Sequence, residues 1–105
     1  MAIRTFILLF FSFLSGTLMA QDKGIQFFHG SWEEVLAKAK EQKKLVFVDA
    51  FTTWCGPCKR MASEVFTQEN VGNYYNTNFI NYKYDMEKGG GPAFARQYKI
   101  TAYPT

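Results

Sequence analysis

Two thiols, Cys55 and Cys58, separated by Gly56 and Pro57, are the side chains best suited to chemistry, and they are the only cysteines in the 105 residues. A bridge across two intervening residues closes almost no loop, so it constrains the unfolded chain little and is a poor structural staple. At the start of a helix the same spacing lets the sulfurs meet, while the first of them faces the unpaired amides and positive end of the helix dipole. The thiolate of Cys55 is favoured there. Only a thiolate attacks a disulfide, and Cys58 can then resolve the mixed disulfide that forms. Pro57 suits the first turn of such a helix, where its missing N–H costs nothing, and it stiffens the dithiol turn. Thiolates also bind zinc or Cu(I), but a closed zinc site takes four ligands. With two cysteines and one histidine, His29, in the chain, no metal is expected.

The elements that must position this pair are read from the hydrophobic pattern. Residues 25–28 are a short apolar run closed by His29 and Gly30, expected to form a first strand. Ser31 and Glu34 make a capping box that opens a helix with Trp32, Val35, Leu36 and Ala39 on one face, stopping near Gln42. Residues 45–51 are dense in apolar side chains and too short for an isolated helix. They predict a central strand buried on both faces, with Asp49 as its one charged member. A helix then begins around Pro57 and carries Met61, Ala62, Val65 and Phe66. Thr67 is expected to cap a second short helix bearing Val71, Tyr74 and Tyr75. Residues 79–85 alternate, with Ile80, Tyr82 and Tyr84 on a strongly apolar face. Pro92 at a first helical position opens a last helix that ends before Ile100. The order strand, helix, strand, helix, strand, helix favours an α/β fold with right-handed crossovers and a parallel sheet flanked by helices on both faces.

The run from Val48 through Asp49, Trp54, Cys55, Gly56, Pro57 and Cys58 to Lys59 closely resembles the active-site strand and turn of the thioredoxin family, whose own tetrapeptide is Cys-Gly-Pro-Cys. A second match follows in the right order, where Tyr103, Pro104 and Thr105 resemble the approach to that family's cis-proline loop. Residues 64–71 are similar to the periplasmic thioredoxin-like domain of membrane thiol-disulfide interchange proteins. The resemblance implies a thioredoxin-like fold and a thiol-disulfide oxidoreductase. Cys55 would be the nucleophile and Cys58 the resolving thiol, with Gly56 and Pro57 between them. Asp49 would be the buried aspartate that assists proton transfer, Trp54 the aromatic beside the site, and Pro104 the cis-proline that lets an extended substrate bind like an added strand. Desolvation by Val46, Phe47, Val48 and Phe51 should raise the Asp49 pKa towards the range useful to a base acting on Cys58. A family lysine near that aspartate would fall on Lys83, with Asn81 competing for the position. The resemblance also implies that a last hairpin and helix lie beyond Thr105, so that residues 21–105 are a truncated domain, poorly stable by themselves.

Composition sets the surroundings. An apolar content of 48% and scattered charges predict a folded single domain. The net charge of +3 is too weak and dispersed for nucleic acid. Residues 1–20 read as a signal peptide: Arg4, then an apolar run, then small residues ending at Ala20. An uncleaved N-terminal membrane anchor is the alternative. The protein is therefore expected outside the cytoplasm, in a periplasm or similar compartment, where disulfides form. The expected partners are protein thiols and disulfides and a membrane-bound electron donor, and a complete domain is expected to be monomeric. No cofactor is needed beyond the redox-active disulfide. Gly56 and Pro57 favour the reductase direction, because thioredoxin lies towards the reducing end of the thiol-disulfide scale. A redox-inert interaction domain of the same fold is the competing reading.

Overall fold

The computed structural model describes residues 23–105 and contains six elements. The signal-segment reading falls outside the described residues. Ser31 caps α1 (Trp32–Gln42) by accepting the Glu34 N–H at 3.2 Å, and its hydroxyl donates to the Glu34 carboxylate at 3.2 Å. Lys43 closes the helix in the left-handed region, its N–H turned back to the carbonyls of Ala39 and Lys40. There follow β1 (Leu45–Phe51), α2 (Gly56–Glu64), α3 (Glu69–Asn78), β2 (Phe79–Asp85) and α4 (Gly91–Gln97).

β1 and β2 pair in parallel, from Leu45 opposite Phe79 to Phe51 opposite Asp85. The alternation of each strand sorts its side chains between two helical layers. On one side Ile80 and Tyr82 pack with Val35 and Ala39 of α1, and Ala50 packs with Met86 and Phe94 at α4. Trp32 joins the two groups, with its ring 5.8 Å from Tyr82 and 5.0 Å from Phe94. On the other side Phe47 meets Phe66 at 6.1 Å and Tyr75 of α3 at 4.7 Å. Helices thus cover both faces.

Three local expectations are corrected. Residues 25–28 do not form a strand, and contribute one parallel bridge, Phe27 with Asn81. The reason is competition for their backbone groups: Ile25 N–H donates to the Phe66 carbonyl, Gln26 N–H to Asn76 Oδ1, and the Gly24 carbonyl accepts from Asn76 Nδ2. β1 is not buried throughout. Leu45 is 75% exposed and only Asp49 and Ala50 are buried, because among the described residues the outer edge of β1 meets Thr105 alone, through reciprocal hydrogen bonds at Ala50 of 2.8 and 3.2 Å. Open apolar cavities of about 440 and 380 Å³ flank that strand. Thr67 caps nothing; its hydroxyl donates to the Ser63 carbonyl, and Gln68 stands at the N-cap of α3.

The N-terminal segment crosses α3 at Gly72, which is buried. A Cβ there would collide with the Lys23 carbonyl oxygen and stand 2.6 Å from the Gly24 carbonyl, all backbone atoms. Gly72→Ala is therefore expected to destabilise the protein by roughly 1–3 kcal/mol despite the better helix propensity of alanine, as overpacked sites do. Urea denaturation checks this, and an unchanged midpoint would refute it.

Candidate active site

β1 ends at Phe51, and Thr52, the next residue, is 1% exposed. Its carbonyl accepts the Cys55 N–H at 3.3 Å, which turns the chain into α2. Cys55 is the N-cap of that helix, with Pro57 in its first turn. The Cys55 sulfur accepts the N–H of Cys58 at 3.1 Å, so it takes the place of a capping oxygen on one of the orphan amides. Cys55 and Cys58 are joined as a disulfide, with Cα atoms 5.3 Å apart. Both residues are nearly closed off, at 3% and 5% exposure, while Trp54, Gly56 and Pro57 around them are open to solvent. Cys55 is thus more enclosed than its spacing suggests.

Asp49 is 4% exposed on the α2–α3 side of β1, where it lines the 380 Å³ cavity with Met61, Tyr75 and Pro104. Burial pushes its carboxyl above the usual aspartate range, and Lys83 pulls part of the way back by charge and hydrogen bonding. Lys83 Nζ lies 3.7 Å from Asp49 Oδ2, a consequence of register: the two residues are direct partners across the parallel pair. The polar partner of Asp49 is therefore Lys83, and not the disulfide. Asn81, the other position considered, pairs with Phe47 and turns its amide to Gln26 and Asn76 instead.

Trp54 is 66% exposed, yet it is held at two points. Its indole N–H donates to Glu87, and its ring meets Tyr103 edge-on at 6.1 Å. Asp85 accepts the Glu87 N–H at 2.9 Å and so sets that loop. Tyr103–Pro104 is a cis peptide. The structure therefore gathers Cys55 with Cys58, Trp54 with Tyr103, and Asp49 with Pro104. Lys83, Glu87 and Tyr103 complete these groups. Of these Lys83 had a signal in the sequence, as a charge on the same alternation as Phe79 and Asn81, and Tyr103 had one as the neighbour of Pro104; Glu87 lies in a loop that carries no periodicity.

A family described as thioredoxin-like matches residues 28–105. The chain belongs to the thioredoxin-like family. An H-type thioredoxin of Chlamydomonas reinhardtii is 41% identical over 75 residues, which cover 71% of this chain and 62% of that protein. The solution structure of a candidate disulphide-isomerase from Bacteroides thetaiotaomicron is 49% identical, with a TM-score of 0.70 over 81% of this chain and 70% of that one. A thioredoxin from Thermus thermophilus, 21% identical, shares the fold with a TM-score of 0.68, covering 77% of this chain and 61% of that one. The chain spans about 62% of the length of the algal thioredoxin it matches.

Proposed function

We propose that this chain carries the active site of an exported thiol-disulfide oxidoreductase that reduces disulfides in protein substrates. The observation that carries the reading is the Cys55 sulfur at the N-terminus of α2, already accepting the Cys58 N–H and already bonded to Cys58. In the reduced form this amide and the helix dipole favour the Cys55 thiolate. The thiolate attacks one sulfur of a substrate disulfide; that S–S bond breaks, the first substrate thiolate leaves and takes up a proton, and a mixed disulfide forms. Asp49, whose carboxyl burial raises above the usual aspartate range, accepts the proton of Cys58. Cys58 then attacks the Cys55 sulfur, the mixed disulfide breaks, and the second substrate thiolate leaves and is protonated. Two electrons have passed to the substrate, and Cys55–Cys58 is again a disulfide. An external dithiol must reduce it before the next cycle, a task assigned to a membrane-bound donor.

Trp54, Gly56 and Pro57 form the exposed rim over which the substrate approaches, and Pro104 offers backbone groups beside it. The reductase direction rests on the Gly-Pro spacer, and export on residues 1–20 together with the oxidising chemistry that the pair would meet there. Insulin reduction with dithiothreitol tests the activity: the complete, folded protein is expected to accelerate precipitation of the insulin B chain, and no acceleration would sink the proposal. Equilibration with glutathione tests the direction, since a potential as high as the strong periplasmic oxidants would overturn the reductase assignment. Alkaline phosphatase fused after Ala20 should become active outside the cytoplasm; an inactive, cytoplasmic fusion would overturn export.

A further inference from the structure

The Lys83 ammonium has neighbours besides Asp49. Its Nζ lies 5.5 Å from the centroid of the Phe27 ring and 5.0 Å from that of Phe51, within the range where a ring's negative face attracts a cation. Three separate stretches meet at this one charge. β1 supplies Asp49 and Phe51, two positions apart on the same face; β2 supplies Lys83; the N-terminal segment supplies Phe27. Phe27 is itself held from two directions, by its bridge to Asn81 and by the Phe66 ring at 5.8 Å. Lys83 needs such a grip. Its side chain is 35% exposed against 4% for Asp49, and a flexible ammonium with water in reach gains little from one ion pair.

We infer that Phe27 and Phe51 are positioning residues that hold the Lys83 ammonium on Asp49 Oδ2, so that two side chains without acid–base chemistry set the charge facing that carboxylate. The functional meaning rests on Asp49 being the proton-transfer group proposed above. It also gives the N-terminal segment, which fails to become a strand, a part in tuning the site. Among the described residues the charged group facing Asp49 is Lys83, from β2. α3 adds the Tyr75 phenol to the same cavity, Cys58 of α2 is locked in the disulfide, and Pro104 and Thr105 bring no charged side chain.

The test is a double-mutant cycle on the oxidised protein, with Asp49 titrated by carboxyl carbon NMR. Phe51→Leu has two consequences: it releases Lys83, which raises the Asp49 pKa, and it admits water, which lowers it. In a Lys83→Met background only the second remains. The shift caused by Phe51→Leu is expected to be more upward with Lys83 present than in the Lys83→Met background, by about half a pH unit, the size a partly exposed cation–π contact supports. Equal shifts in the two backgrounds, or a difference of the opposite sign, would overturn the inference. Trifluorophenylalanine at position 51 keeps the ring volume and removes its negative face; it serves as the probe should Phe51→Leu unfold the protein, with the same two outcomes. The titration uses no substrate. An Asp49 dispensable for turnover would defeat the proton-transfer role and leave this result intact, while equal shifts would defeat the grip and leave the proposed activity intact.

Discussion

Cys55→Ser is expected to reduce insulin no faster than dithiothreitol alone, whereas Cys58→Ser should stop turnover at a mixed disulfide between Cys55 and the substrate. The asymmetry follows from position. Cys55 is the N-cap of α2, where its sulfur already accepts an amide hydrogen bond, the position that favours a thiolate once the disulfide is reduced. Cys58 lies inside the first turn and donates that N–H, so it faces the Cys55 sulfur; the two thiols are similarly buried, and the asymmetry rests on the helix N-terminus and not on exposure. Non-reducing electrophoresis and mass spectrometry of each variant with a disulfide-bonded client measure the adducts. Trapping by Cys55→Ser and none by Cys58→Ser would reverse the assigned roles.

Asp49→Asn should make the protein more stable and slower. Burial raises the Asp49 pKa in the fold, so the folded chain binds this proton more tightly than the unfolded chain. The stabilising contribution is then complete below the ordinary aspartate value, about 3.9, and is lost as pH rises through the raised folded value. Above that raised value burial of the ionised form is destabilising, and Lys83, a third exposed, only partly offsets it. Replacing a buried carboxyl whose ionisation the fold disfavours with a neutral group of similar shape is expected to stabilise the protein near neutrality. Lys83 keeps a third of its side chain in water and keeps its two aromatic neighbours, so it is not left buried and unpaired. The gain should shrink towards zero as pH falls below the ordinary aspartate range, which urea melts at a series of pH values measure. A gain independent of pH, or a loss at neutral pH, would contradict the sign. Insulin reduction by the same variant is expected to fall by about a hundredfold, the lower end of what a positioned general base supplies. Full activity would remove Asp49 from the mechanism.

How much of this was legible in advance differs from residue to residue. The cysteine pair was, since two positions of spacing at a helix start decide the geometry almost alone. Ser31 and Glu34 were as well, because a capping box closes within four residues. The burial of Asp49 followed from its apolar neighbours in sequence, and the direction of its pKa from that burial. Residues 25–28 misled because their pattern is strand-like, while Asn76, fifty residues away from Gln26, takes the backbone hydrogen bonds a strand would need. Thr67 misled because a threonine hydroxyl can bond back to the preceding turn as readily as it caps a new helix.

The local order was determined by the sequence alone: a dithiol at a helix N-terminus, an aspartate inside an apolar strand, and the two paired strands with the helices before, between and after them. Tertiary structure alone decided which charge meets which. Lys83 rather than Asn81 faces Asp49 because of the parallel register; a shift of two residues, which keeps the face, would have put Asn81 there instead. Phe27 reaches Lys83 because a segment that is not a strand still crosses the sheet at one bridge, and Trp54 is fixed by a glutamate from the loop after β2. Hydrophobic pattern and capping act within one or two turns of chain. Register and loop placement come from packing between distant segments, and short-range pattern does not encode them.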